Sequence, residues 1–97
     1  MREYELMYIA RPNLEAAQYE ALQERVTGLI ARDGGEMTGL EVWGKRKLAY
    51  PIKHEKDGYY VVLTFKGGEA LVQELNRVLY ITDEILRHKI FRLDGRR

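Results

Sequence analysis

The 97-residue sequence contains no cysteine, and this absence removes several classes of site at once. Disulfide bonds, thiolate zinc sites and cysteine nucleophiles are all excluded. Proline is scarce, at two residues, and no apolar run approaches the roughly 18 residues that a membrane-spanning helix needs. The start, MREYELMYIA, lacks the basic-then-apolar order of a secretory signal. We therefore expect one soluble, cytoplasmic domain, near the small end of the range that folds alone.

A strong excess of charge is also missing, since the formal net charge is +1. The charge is nevertheless unevenly spread. Residues 1–40 have four cations and seven anions, residues 41–57 have five and three, and residues 58–97 have seven and five. A protein that binds nucleic acid non-specifically is usually basic overall. Local basic patches on a nearly neutral chain favour a shaped site over a general electrostatic clamp.

Hydrophobic periodicity divides the chain into four extended segments and two helices. In chain order the predicted elements are a strand at Arg2–Ala10, a helix from Leu14 to about Arg32, an extended segment at Glu36–Ile52, a strand at Tyr59–Lys66, a helix from Glu69 to about Tyr80 and a strand at Ile85–Leu93. The last residues, Gly95, Arg96 and Arg97, are expected to form a short, mobile basic tail.

Local signals refine these elements. Asn13 is the predicted N-cap of the first helix, because its side chain can accept a hydrogen bond from a free backbone N–H group. Gly39 and Gly44 indicate either a bulge in the long extended segment or a close approach by another backbone. Pro51 cannot donate a ladder hydrogen bond, so this segment is expected at a sheet edge. The polar residues 54–58 are expected to form the following turn.

The element order favours one topology. Right-handed crossovers and a central hairpin predict an α+β, ferredoxin-like fold in one domain, residues 1–97, with strand order 4-1-3-2 and both helices on one face. The other face of the sheet is left open. Arg46 and Arg87 are then expected at opposite edges of the sheet. The residues expected in the helix–sheet core are Leu6, Val26, Ile30, Leu63, Leu75 and Ile90.

Catalytic chemistry finds little support in the residues. His54 and His88 are far apart and have no neighbouring acid and serine arrangement, so they suggest neither a relay nor a metal site. The glycine pairs do not match the spacing of a phosphate-binding loop. The residues therefore predict no enzyme, no metal and no cofactor.

One stretch, GKRKLAYPIK, interleaves cations with aromatic and aliphatic residues. Such a hairpin suits docking into structured RNA, where shape and backbone contacts dominate. Lysine on an edge strand also protects a sheet against edge-to-edge aggregation, and the residues alone leave both interpretations open. The same holds for Tyr60 on the open face, which can stack a nucleobase or be a solvated surface residue.

The stretch from Gly44 to Lys53 resembles the signature of the family of bacterial small-subunit ribosomal protein six. The first five residues, Met1-Arg2-Glu3-Tyr4-Glu5, resemble the same family. So do three later segments, in the same order along the chain: Arg11-Pro12-Asn13, Asp57-Gly58-Tyr59-Tyr60 and Ile85-Leu86-Arg87. The likeness covers essentially the whole chain.

The resemblance implies a ribosomal function. Members bind the central domain of the small-subunit ribosomal RNA as a heterodimer with small-subunit ribosomal protein eighteen, in the cytoplasm, and have no enzymatic activity. Transferred to this sequence, the resemblance makes Arg2, Arg46, Lys47, Tyr50, Lys53 and Arg87 candidates for contact with RNA or the partner. With the other cations of the last strand, the predicted RNA-binding residues are Arg2, Arg46, Lys47, Lys53, Arg87, Lys89 and Arg92. The candidates for contact with the partner protein are Trp43, Leu48 and Tyr50.

Two other functions remain as alternatives on the same fold. One is a ligand-sensing or dimerisation domain without RNA binding, which would use the open face of the sheet. The other is an acylphosphatase-like enzyme, although the sequence has no convincing arginine-bearing phosphate loop after the first strand.

Overall fold

The computed structural model describes residues 2–93, and its elements follow the predicted order. They are β1 (Arg2–Ala10), α1 (Ala16–Arg32), β2 (Glu36–Ile52), β3 (Glu55–Gly67), α2 (Glu69–Ile81) and β4 (Ile85–Arg92). All strand pairs are antiparallel, in the order β2-β3-β1-β4. This confirms the α+β, ferredoxin-like topology. The predicted basic tail, residues 95–97, lies outside the described residues.

The core lies between the sheet and the two helices. On β1 the residues Tyr4, Leu6 and Tyr8 alternate toward this layer and are buried, as period-2 patterning requires. The core residues predicted from the sequence are confirmed: Leu6, Val26, Ile30, Leu63 and Leu75 are buried, and Ile90 is half-buried against them. Burial of one leucine side chain contributes about 1.5–3 kcal/mol of transfer free energy.

The start of α1 corrects the predicted cap at Asn13. The helix begins at Ala16 with Glu15 in the cap position, and the Glu15 backbone N–H donates to Gln18 Oε1 over 2.9 Å. The Tyr19 hydroxyl accepts a hydrogen bond from Leu14 N (3.3 Å) and donates to Arg11 O (2.6 Å). Because Tyr19 and Gln18 satisfy the backbone of this loop, the helix starts two residues later than its apolar pattern suggests.

The turn between β2 and β3 is also shorter than predicted. Residues 55–58 belong to β3, and the turn consists of Lys53 and His54, which have φ angles of 49° and 70°. Ile52 pairs with Glu55 across this two-residue turn. Two positive φ angles are typical of the tight hairpin turns that match strand twist, although such turns usually contain asparagine or glycine.

The irregular features predicted for β2 are confirmed. The register with β3 shifts between Met37 and Gly39 and again between Val42 and Gly44, and Gly44 has a φ of 80°. A positive φ is accessible to glycine because it has no Cβ. β2 is an edge strand, as Pro51 indicated. The register shifts once more between Lys47 and Ile52, where the hairpin extends past the end of β1 and Leu48 packs back against Ile9 and Leu86.

Candidate functional site

The end of the β2–β3 hairpin packs over the open face of the sheet. Leu48 of β2 forms a second apolar cluster with Ile9 of β1 and Leu86 of β4, and all three side chains are buried. Gly58 makes this approach possible, because a Cβ there would lie 2.3 Å from Ile9 Cγ2. The hairpin is therefore held across the sheet by its own apolar residues and does not project freely into solvent.

Two polar contacts join the hairpin to β4. The Arg87 guanidinium Nη1 donates to the Tyr50 hydroxyl over 2.6 Å, and Lys53 Nζ lies 3.5 Å from the Ile85 carbonyl oxygen. β2 and β4 are the two edge strands, as predicted. Arg46 and Arg87 lie on these opposite edges, and the end of β2 nevertheless reaches β4 through Tyr50 and Lys53.

Three side chains form a stack beside this contact. The Trp43 and Tyr60 rings lie nearly parallel, with centroids 6.1 Å apart and an interplanar angle of 18°. Arg46 Cζ lies 4.8 Å from the Trp43 ring centroid, a cation–π geometry. The Trp43 indole N–H donates to Glu41 Oε1 over 2.9 Å, which fixes the orientation of the ring.

A groove of about 300 Å³ separates the hairpin from β4 on the open face. We call it the open-face groove. Its lining includes Met7 and Ile9 of β1, Tyr60 of β3, Tyr50 at the hairpin end, and Arg87, Lys89 and Phe91 of β4. Register explains this set, since Met7 pairs with Lys89 and Ile9 pairs with Arg87, so their side chains share one face.

The structure places the predicted cations in two groups. Arg2 pairs with Gly67 and Arg92 pairs with Tyr4, at the end of the sheet far from the turn of the β2–β3 hairpin. The other five predicted cations lie on the hairpin or on the neighbouring half of β4: Arg46, Lys47, Lys53, Arg87 and Lys89.

The three predicted partner-protein residues also divide. Trp43 and Tyr50 are 40% and 58% exposed, and both are available to a partner. Leu48 is only 8% exposed, because it anchors the hairpin in the second apolar cluster. The burial corrects the expectation that the Leu48 side chain offers a surface.

Sequence reasoning did not select Ile9 or Phe91. Phe91 is 42% exposed in the open-face groove, and Ile9 forms part of its floor. The period-2 alternation of β1 and β4 could have identified both residues, because it places Met7, Ile9, Lys89 and Phe91 on the face opposite the core.

His88 lies at the contact between β4 and α2. His88 is half-buried, and its Nε2 lies 3.0 Å from Asn76 Oδ1 on α2. Burial lowers the pKa of His88, because it disfavours the charged imidazolium. Within residues 2–93, no group of three or more histidine, aspartate or glutamate side chains is arranged to hold a metal ion. Neither described helix is long and apolar enough to cross a membrane.

Comparison with known proteins agrees with this fold along its whole length. The family model for ribosomal protein S6 matches residues 3–92. The small ribosomal subunit protein bS6 of Carboxydothermus hydrogenoformans is 47% identical over 94 residues, which cover 97% of this chain and 98% of that protein. The bS6 protein of Moorella thermoacetica is 45% identical over 94 residues, which cover 97% and 96%.

A solved structure gives the same result in three dimensions. The crystal structure of 30S ribosomal protein S6 from Thermotoga maritima has a TM-score of 0.91 and 37% identity, and the match covers 97% of this chain and 89% of that chain. The family model, the curated relatives and the solved structure agree with the motifs in the sequence, and the chain belongs to the ribosomal protein S6 family.

Proposed function

We propose that this chain binds the central domain of the small-subunit ribosomal RNA as a heterodimer with small-subunit ribosomal protein eighteen. Membership of the S6 family makes the chain a structural, non-enzymatic protein of the small ribosomal subunit, located on cytoplasmic ribosomes, so the acylphosphatase-like alternative is wrong. The observation that carries the finer proposal is that five of the predicted cations lie on the hairpin or on the half of β4 that its end contacts.

The RNA-facing part of the proposal rests on these cations. Arg46 and Lys47 lie exposed on the hairpin, and Arg87 and Lys89 lie exposed on β4. Guanidinium and ammonium groups bind phosphate oxygens through charge-assisted hydrogen bonds, and neutralised phosphates release counterions. Because the hairpin is fixed by Leu48, these groups are held in a defined arrangement that can match a folded RNA backbone.

The protein-facing part uses the edge and the exposed aromatic side chains. The outer backbone of β2 has no neighbouring strand within the described sheet, so it can accept a strand or an extended segment from a partner. Trp43 and Tyr50 add exposed aromatic surface on the same strand. Aromatic residues are enriched at the energetic centres of protein interfaces.

A heterodimer also explains the modest net charge of +1. Two half-sites that become one on pairing bind a common RNA far more tightly than either half alone. The partner can therefore supply much of the positive potential that a single protein of this composition lacks.

The proposal is tested with heterodimers carrying Arg2→Ala, Arg46→Ala or Arg87→Ala, titrated against the ribosomal RNA fragment across a salt series. Loss of one phosphate contact makes the slope of log affinity against log salt shallower by about one unit. Arg25→Ala is the matched control, because Arg25 is exposed on α1, on the helix-covered face. We expect at least one of the three variants to show the shallower slope, while Arg25→Ala keeps the wild-type slope. Three unchanged slopes would show that these cations do not carry RNA binding.

A further inference from the structure

The open-face groove has features that simple phosphate contacts do not use. Its volume of about 300 Å³ is at the lower end of the range for small-ligand sites, roughly 300–1,000 Å³. Met7 and Ile9 give it an apolar floor, and Tyr60 and Phe91 add aromatic surface. The groove is open to solvent, so a flat ligand can enter from the open face of the sheet.

Charge selects among the ligands that such a groove can hold. Among the described residues that line it, Arg87 and Lys89 are cations and none is a carboxylate. The groove therefore favours an anion that also has a flat apolar part. A nucleotide combines a phosphate with a planar base, and bases of single-stranded RNA are commonly stacked on aromatic side chains of a sheet face.

The neighbouring stack strengthens this choice. Tyr60 lines the groove and also stacks on Trp43, and Arg46 lies against the Trp43 ring. The Tyr60 ring therefore packs on Trp43, which in turn lies against Arg46. Because the Tyr60 side chain is already held in place, stacking a base on it costs little free energy for ordering the protein. Stacking on an aromatic ring also tolerates any base.

We infer that the open-face groove binds one unpaired nucleotide of the RNA, with its base against the aromatic walls and its phosphate beside Arg87 and Lys89. This inference rests on the proposed function, since the RNA supplies the nucleotide, and it adds a base-binding subsite to phosphate contacts. A segment of the partner protein in the groove is the competing outcome.

The direct test is a titration of the isolated chain with adenosine or uridine 5′-monophosphate, followed by NMR of methyl-labelled methionine. Met7 lines the groove, whereas Met37 packs at the edge of the helix–sheet core and serves as an internal control. We expect the Met7 methyl signal to shift and saturate, while Met37 stays unchanged. Ribose 5-phosphate, which lacks the base, should shift Met7 much less. No Met7 shift, or an equal shift with ribose 5-phosphate, overturns the inference.

Variants separate stacking from charge. Tyr60→Leu should weaken nucleotide binding by about tenfold or more, because an aromatic platform for one base is lost. Tyr80→Leu is the matched control, since Tyr80 is 82% exposed at the end of α2 and does not line the groove. Lys89→Ala provides a second variant on the surface, and it should weaken the binding of the nucleotide. Unchanged affinity in both Tyr60→Leu and Lys89→Ala overturns the inference.

The same probes distinguish failure of this inference from failure of the proposed function. If the heterodimer binds the ribosomal RNA fragment but the nucleotides leave Met7 unchanged, the groove inference alone is wrong. If protein eighteen without RNA shifts Met7 and blocks the nucleotides, the groove seats the partner and the inference is again wrong. If nucleotides bind but the heterodimer does not bind the RNA fragment, the proposed function fails.

Discussion

Arg87 Nη1 donates a hydrogen bond of 2.6 Å to the Tyr50 hydroxyl, although 37 residues separate them in the chain. Tyr50 belongs to one edge strand and Arg87 to the other. The bond closes the hairpin over the sheet at the point where Leu48 packs beneath it. It makes the hairpin and β4 one surface, and the proposed RNA contact depends on that surface.

Tyr50→Phe removes only the hydroxyl from this contact. We expect the free energy of unfolding to fall by about 0.5–1.5 kcal/mol, the usual net contribution of one hydrogen bond. Denaturant unfolding of Tyr50→Phe and of Tyr80→Phe provides the measurement, because Tyr80 is also exposed but lies on α2. Equal midpoints for both variants and the parent would mean that the Arg87–Tyr50 bond does not hold the hairpin.

Gly58→Ala tests the close packing of the hairpin on β1. The new Cβ would lie 2.3 Å from Ile9 Cγ2 and 3.3 Å from Leu48 Cδ2, so the second apolar cluster must shift. Overpacking of this kind costs about 1–3 kcal/mol. The control is Gly28→Ala on α1, where nothing lies within 4 Å and alanine should stabilise the helix by roughly 0.5–1 kcal/mol. Both variants are compared by thermal and urea unfolding, and a Gly58→Ala protein as stable as Gly28→Ala would contradict the packing.

The sequence was sufficient for the features that depend on local pattern. The apolar pattern predicted the burial of Leu6 on β1. Gly39, Gly44 and Pro51 predicted an irregular edge strand, because each acts through its own backbone chemistry. The turn at Lys53 and His54 was placed wrongly, since neither residue is a usual choice for a positive φ.

The features that the sequence did not predict depend on contacts between distant residues. Leu48 looked like a surface residue of an edge hairpin, and only its packing on Ile9 and Leu86 makes it an anchor. The cap of α1 was displaced in the same way, because the Tyr19 hydroxyl binds the loop that precedes the helix. The contacts of Tyr50 and Lys53 with β4 are also ones that strand order alone would not predict.

Leu75→Ala tests the helix–sheet core. Leu75 has no exposed surface, so its truncation should lower the free energy of unfolding by about 2–5 kcal/mol. Ile81→Ala is the matched control on the same helix, because Ile81 is 59% exposed, and its effect should stay within about 0.5 kcal/mol. Urea denaturation measures both, and a Leu75→Ala midpoint equal to that of the parent would contradict the packing of α2.

His88 gives the chain a pH dependence of known sign. Burial lowers the pKa of His88 in the folded state, so the unfolded chain binds the proton first as the pH falls. Stability is therefore highest above the unfolded pKa, about 6.5, and declines as the pH falls from there toward the folded pKa. Urea unfolding between pH 8 and 5.5, with NMR titration of the His88 ring, should show this decline.

His88→Gln is the control for that titration, because glutamine cannot take up the proton. Its stability should change less than that of the parent over the same interval. Equal pH dependence in the parent and in His88→Gln would assign the effect to other groups.

The most direct test of the central claim is a filter-binding titration of the ribosomal RNA fragment with this chain alone, with protein eighteen alone and with an equimolar mixture. The account predicts weak binding by each protein and tight binding by the mixture, because two half-sites of modest charge become one continuous site. Equally tight binding by this chain on its own would contradict the heterodimer, and weak binding by the mixture would contradict the RNA-binding function itself.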